Sequence, residues 1–200
     1  FNFHLKEKTM QVSNNVQEAY DNQYDEKVHK WRKLGAKYKF QNILQVTEGR
    51  TFQKVLDYGA GEGSIMEMIA GEDRFQELYG VEISDSGIGQ IKQKNLAKLK
   101  EIRKFDGYNT GFADKEFDLA YCSHVIEHVE FPRLLLREIS RISKFQVFEV
   151  PLDYHIGIDK NINHFLSYGH INVYTPSLLK FLLKTEGFEV LNELHTEIAD

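Results

Sequence analysis

An acid two residues ahead of three alternating glycines carries the clearest chemistry in this chain: Asp57 precedes Gly59-Ala60-Gly61-Glu62-Gly63. Glycines at alternate positions let backbone amides approach a ligand with no Cβ in between. A carboxylate beside them would repel a pyrophosphate and attract a ligand bearing an ammonium group. Nineteen residues beyond Gly63 stands a second acid, Glu82, near the end of Leu78-Tyr79-Gly80-Val81-Glu82-Ile83. An acid at such a place accepts hydrogen bonds from a ribose diol. The third glycine of the dinucleotide pattern Gly-x-Gly-x-x-Gly would fall on Ser64, which argues against a nicotinamide-dependent oxidoreductase.

Histidine supplies the other chemistry. Five of the eight histidines fall between positions 124 and 170: His124, His128, His155, His164 and His170. An imidazole near neutral pH suits a general base working on an acceptor hydroxyl, and His128 and His170 are the candidates for that role. Each single histidine also suits an ordinary structural or surface position. Cys122, the only cysteine, cannot form an internal disulfide and reads as a small core residue.

These groups need a scaffold, and the apolar pattern describes one. Residues 13–46 read as helix, with Trp31, Leu34 and Tyr38 at i, i+3 and i+7. Lys27, Lys30, Arg32, Lys33, Lys37 and Lys39 cluster there, as a solvated face or as a patch for an anionic substrate. Strands are expected over 53–58, up to Ile83, over 99–105, 117–122 and 145–150, and from Phe188 to Leu194. Charged Lys98, Lys100, Arg103 and Lys104 dilute the third of these. Helices alternate with them over 63–70, after a cap at Ser84 or Ser86, from Phe131 to Ser143, and from Thr175-Pro176 to Gly187. In the helix from Phe131 to Ser143, Phe131, Leu135, Ile139 and Ile142 share a face. Such alternation predicts a doubly wound α/β fold, its mostly parallel sheet covered by helices on both sides.

Composition bounds the class. With 200 residues and 42% hydrophobic content, the chain suits one domain with a full core. A formal charge of −5 provides no overall field toward nucleic acid or an anionic membrane. No apolar run approaches the roughly 18 residues of a spanning helix, and no signal-peptide pattern precedes the fold, so a cytoplasmic enzyme is expected. Phe1 rather than Met at the start suggests that more chain precedes it.

Four motifs in order and at characteristic spacing resemble the class I S-adenosylmethionine-dependent methyltransferases, in particular the branch acting on small molecules. They are Val-Leu-Asp-Tyr-Gly-Ala-Gly-Glu-Gly (55–63), Gly-Val-Glu-Ile-Ser (80–84), Phe-Asp-Leu-Ala-Tyr-Cys-Ser-His-Val-Ile-Glu-His-Val (117–129) and Gly-His-Ile-Asn-Val-Tyr-Thr-Pro-Ser-Leu-Leu (169–179). The resemblance implies a Rossmann-like fold with S-adenosylmethionine as cofactor. It places the methionine end at Asp57 and at the backbone of Gly59, Ala60, Gly61 and Gly63. The ribose goes to Glu82, the adenine lies against Ile83 with Asp106 near its amine, and Ser123 offers a carbonyl with His124 behind it. Asp106 equally suits a strand-end turn.

The family pattern implies one domain: a helical lid over 1–48 with Tyr20 and Tyr24 as candidates to touch ligand, and a cofactor core over 50–150. An acceptor-side insertion over 151–175 and a C-terminal helix and strand over 176–200 complete it. It also implies a seventh strand beside the sixth, for which this sequence has no segment before Asp200; truncation or disorder is the expectation. The acceptor expected is a small polar molecule such as a sugar or quinone-like compound, with nucleic acid and membrane disfavoured and no metal ligands assigned. Two alternatives stand beside this. One is a non-catalytic partner subunit on the same scaffold. The other is a metal-dependent RNA 2′-O-methyltransferase, because Glu127-His128 with His170 resembles the metal set of that group, although His124 stands where the group has another glutamate.

Overall fold

A computed structural model of the chain describes residues 29–152, 154 and 169–196. Its elements, in order, are α1 (His29–Val46), β1 (Phe52–Tyr58), α2 (Ser64–Ala70), β2 (Phe75–Glu82), α3 (Asp85–Gln93), β3 (Leu99–Lys104) and β4 (Phe117–Ser123). A short 3-10 turn (Ile126–His128), α4 (Pro132–Ile142), β5 (Ser143–Glu149) and α5 (Pro176–Thr185) follow. Tyr20, Tyr24, His155 and His164 lie outside the described residues.

The five strands pair in the order β3-β2-β1-β4-β5, and every pairing is parallel. From β1 the chain steps outward through β2 and β3, then returns to the other side of β1 with β4. That reversal leaves a crevice at the carboxyl ends of β1 and β4, where open α/β sheets bind ligands. In register, Asp57 stands between Gly80 on β2 and Tyr121 on β4.

Both faces of the sheet are covered, which is why its central strands carry nearly unbroken apolar runs. Successive side chains point to opposite faces. Val55, Leu119 and Tyr121 join Ile43, Met66, Ile69 and Ile91 in one core layer. Leu56, Tyr58, Ala120 and Cys122 join Leu135, Leu136, Ile139 and Leu183 in the other. Cys122 is a buried free thiol.

Local signals set the helix boundaries. Ser84 caps α3 by accepting from the amide of Gly87 at 3.3 Å, while Ser86 bonds the Ser84 hydroxyl. Thr175 caps α5 from the amide of Leu178, with Pro176 in the first turn, as expected. β3 is the edge strand beside β2, so its charged residues reach solvent and answer one another, as in Arg103 with Glu101 at 2.8 Å.

Three expectations are corrected. Phe188 to Leu194 form no strand among the described residues. Val190 and Leu191 are exposed, and an apolar alternation becomes a strand only where a neighbour completes the ladder and covers a face. Leu34, read as part of the buried stripe of α1, is exposed, and the helix instead buries Ala36 and Ile43. Phe131 stands outside α4 as its N-cap residue and is 43% exposed, so the buried face is Leu135, Leu136, Ile139 and Ile142.

Candidate functional site

The loop after β1 turns back on the adjacent strand. The amides of Gly59 and Ala60 donate to the carbonyl of Val81 at 2.9 and 3.0 Å. Gly59 and Gly63 take φ of 84° and 81°, the left-handed region that side chains disfavour. A Cβ would meet Val125 at 2.6 Å from Gly59, and Ile91 at 2.7 Å from Gly63. These glycines are therefore required by the turn and by close packing together.

Glu82 braces this loop. Its Oε2 accepts from the amide of Gly61 at 2.8 Å, and its Oε1 accepts from the amides of Ile83 and Ser84 at 2.9 Å each. The carboxylate thus joins the tips of β1 and β2.

Asp57 is buried beneath the loop and accepts from the Tyr121 hydroxyl at 2.7 Å. Burial pushes its carboxyl up to about 8, against the pull of the Tyr121 hydrogen bond, with Glu82 and Glu62 adding repulsion. The same burial, with Asp57 alongside, holds the Tyr121 phenol well above its ordinary value.

At the end of β4, Ser123 donates to Glu149 Oε2 at 2.5 Å, and the amide of His124 donates to the Glu149 carbonyl at 2.9 Å. His124 takes a φ of 55°, a strained value for a residue with a side chain. Burial first, then the positive charge of Lys39 and the neighbouring histidines, pushes its imidazole down to about 2. His124 is accordingly neutral.

The turn after it gathers three imidazoles around one buried acid. Glu127 Oε1 lies 3.6 Å from His124 Nδ1, 3.8 Å from His128 Nε2 and 4.0 Å from His170 Nε2. The rings of His128 and His170 meet edge-on, with centroids 4.8 Å apart. The Glu127 carbonyl accepts from the amides of Ile171 and Asn172 at 3.0 and 2.9 Å, and Asn172 Nδ2 donates to the Val129 carbonyl at 2.8 Å. Those bonds bring His170 beside His128 across 42 positions of sequence. His128 Nδ1 faces the Gly169 carbonyl at 3.1 Å, so Nδ1 carries a proton, and Nε2 turns toward Glu127. Donor atoms of Glu127, His128 and His170 all lie within 4.8 Å of one another, a set able to hold a metal ion.

A family model described as a methyltransferase domain matches residues 20–193. The chain belongs to that family. This methyltransferase uses S-adenosylmethionine as its cofactor. It is 24% identical over 138 residues to YrhH of Bacillus subtilis (strain 168), itself assigned as a methyltransferase, covering 66% of this chain and 74% of that one. The ubiquinone biosynthesis O-methyltransferase of Vibrio atlanticus (strain LGP32) is 25% identical over 150 residues, and the match spans 68% of this chain and 61% of that enzyme. The geranyl diphosphate C-methyltransferase of Streptomyces coelicolor A3(2), solved with S-adenosyl-L-homocysteine, shares the fold at a TM-score of 0.58 and 13% identity, over 74% of this chain and 56% of that one. So does the [4+2]-cyclase SpnF, at a TM-score of 0.64 and 17% identity over 78% of this chain and 58% of that one. Fold alone therefore does not name a reaction.

The methyltransferase offers this cofactor a loop whose glycines leave no room for side chains, over the buried acid Asp57. Of the residues expected to bind it, Asp57, Gly59, Ala60, Gly61, Gly63, Glu82 and Ile83 stand together at the tips of β1 and β2, with Ser123 and His124 at the tip of β4. Asp106 stands two residues beyond the end of β3. Its Oδ1 accepts from the amides of Tyr108 and Asn109 at 2.8 and 2.7 Å, a strand-end turn, and it lines a cavity of about 330 Å³ with Leu134 and Arg137. His128 and His170 come together, and Glu127 with them. Sequence reasoning passed over Tyr121, Glu149 and Asn172, whose parts follow from pairing across strands and loops. No helix among the described residues is long and apolar enough to cross a membrane.

Proposed function

We propose that this methyltransferase methylates a hydroxyl of a small polar molecule, a hydroxylated ring or a sugar, by direct in-line displacement. Bound S-adenosylmethionine supplies a methyl group already activated by its positively charged sulfur. Asp57 and the backbone of Gly59, Ala60, Gly61 and Gly63 hold its amino-acid end, and Glu82 accepts from its ribose. Ile83 covers the adenine, Asp106 lies toward the adenine amine, and Ser123 with His124 line the inner wall.

His128 and His170 are the acceptor-side residues of this reading. The supporting observation is the placement of His128, whose Nδ1 faces the Gly169 carbonyl while Nε2 stands 3.8 Å from buried Glu127. An acceptor hydroxyl seated beside Nε2 gives up its proton to the imidazole as the oxygen attacks. Holding the oxygen about 3–3.5 Å from the methyl carbon is the remaining requirement. The Vibrio O-methyltransferase supports an oxygen acceptor. Screening hydroxylated rings and sugars with a labelled methyl donor tests the reading. Acceptor-dependent S-adenosylhomocysteine formation supports it, and turnover only on RNA or protein would end it.

A second reading is favoured by the convergence of Glu127, His128 and His170. One carboxylate and two neutral imidazoles suit a first-row divalent ion, and a hydroxyl bound there would deprotonate without a protein base. A net charge of −5 counts against an RNA acceptor for such a centre. Metal analysis of purified protein, with activity before and after chelation and after Mn²⁺ or Zn²⁺ return, separates the readings. Full activity without metal would remove the second.

A further inference from the structure

The 3-10 turn Ile126–His128 carries both the buried acid and one imidazole of the cluster, yet it is only three residues long. A run this short holds few hydrogen bonds of its own and leaves its carbonyls to outside partners. Val125 at its start offers no side-chain cap, and the amide of His128 closes the turn on the Val125 carbonyl at 3.0 Å. Its shape is therefore set by what packs on it.

The segment 169–172 packs on it. The Gly169 carbonyl faces His128 Nδ1 at 3.1 Å, and the amides of Ile171 and Asn172 donate to the Glu127 carbonyl at 3.0 and 2.9 Å. Those ties use the segment's main chain, which any sequence supplies. The remaining tie is a side chain. Asn172 Nδ2 donates to the Val129 carbonyl at 2.8 Å and faces the carbonyls of Ile126 and Glu127 at 3.4 and 3.5 Å. Three carbonyls around one nitrogen call for a donor; a carboxylate of the same size offers only lone pairs, and an alkyl group offers nothing. Beyond Asn172 the chain is anchored, because the Tyr174 ring is buried and Thr175 caps α5. Before Asn172 it carries His170, whose ring meets that of His128 with centroids 4.8 Å apart.

We propose that Asn172 is the positioning residue of the acceptor side: by answering the carbonyls of the 3-10 turn, it sets His170 against His128. The proposal rests on the reading of those two histidines as acceptor-side residues. Asn172 then governs rate through their placement, since a shift of about 1 Å in a reacting group can cost about 10²-fold.

Nuclear magnetic resonance on histidine-labelled protein tests the placement without any acceptor, through proton–proton contacts between the two rings. The wild-type contact should be lost in Asn172→Ala and in Asn172→Asp, which keeps the size but not the donor. Asn172→Gln, which keeps the donor, should recover part of it. Thr175→Ala loosens the same segment at its helix cap and should leave the contact in place. An undiminished contact in Asn172→Ala and Asn172→Asp would overturn the proposal. So would an equal loss in Thr175→Ala, because general loosening would then suffice. On the acceptor found by screening, Asn172→Ala should lower kcat about 10–100-fold and leave S-adenosylhomocysteine affinity within about twofold. Unchanged kcat, or a loss confined to that affinity, would also overturn it. Should His128→Gln and His170→Gln themselves leave kcat unchanged, the acceptor-side reading falls instead, and the ring contact still judges Asn172.

Discussion

Tyr121 donates a 2.7 Å hydrogen bond to Asp57 across the β1–β4 pairing, between a phenol and a carboxyl that are both buried. The bond spans the point where the strand order reverses, so it ties the acid proposed to meet the cofactor to the strand that leads to the histidine cluster. It also favours the ionised form of Asp57, which burial opposes. Tyr121→Phe should therefore raise the Asp57 pKa further and weaken S-adenosylhomocysteine several-fold at neutral pH. The fold should lose only about 1 kcal/mol, since the ring stays. Calorimetric titration and urea melts of the variant measure both.

Asp57 also predicts a pH dependence with a definite sign. Its carboxyl sits at about 8 in the folded chain against an ordinary value of 3.8. Between those values the ligand-free folded state keeps a proton that the unfolded chain has shed, so stability should fall as pH rises from about 4 to about 8 and level off above. A ligand ammonium favours the carboxylate. S-adenosylhomocysteine affinity should then climb toward pH 8, with proton release on binding. Calorimetry in buffers of different ionisation enthalpy reads that proton directly, and a flat profile would contradict the assignment.

Glu82 has a double role, and its removal should show both. Glu82→Ala should weaken cofactor binding by roughly 1.5–3 kcal/mol. Because the amides of Gly61, Ile83 and Ser84 lose their acceptor as well, the melting temperature of the ligand-free protein should also drop. Gly61→Val should abolish binding by filling the loop. Normal uptake of S-adenosylhomocysteine by either variant would refute this placement of the nucleoside.

The histidine cluster separates chemistry from binding. His128→Gln and His170→Gln should each lower kcat about 10²–10⁴-fold, the contribution of positioned acid–base groups, with little change in S-adenosylhomocysteine affinity. Steady-state kinetics on the acceptor found by screening, paired with calorimetry, would check this. Glu127→Gln should resemble them in kcat, because its carboxylate faces the nitrogens of both residues. A loss confined to cofactor affinity would move these residues to the other side of the crevice.

Much of the fold was legible because its signals are local. A strand, a glycine turn and a helix follow one another over 52–70, and caps such as Ser84 and Thr175 act within three residues. β3 was harder to see, since an edge strand has no need to be apolar on both faces. Phe188 to Leu194 misled for the opposite reason: an alternating pattern records what a strand requires, yet strand formation depends on a neighbour elsewhere in the chain. The face of α1 was misjudged because its buried side is decided by contact with β1 and α2, through Ile43 and Phe52 in one layer.

By itself, the order of residues determined the parallel α/β scaffold, the glycine loop over Asp57 and the acid Glu82 at the tip of the second strand, because each of these is encoded within a few consecutive positions. Only the tertiary structure decided that His124, His128 and His170 surround Glu127 and that Tyr121 grips Asp57. Those groups meet through hydrogen bonds and packing between segments far apart along the chain, and sequence spacing carries no measure of such distances.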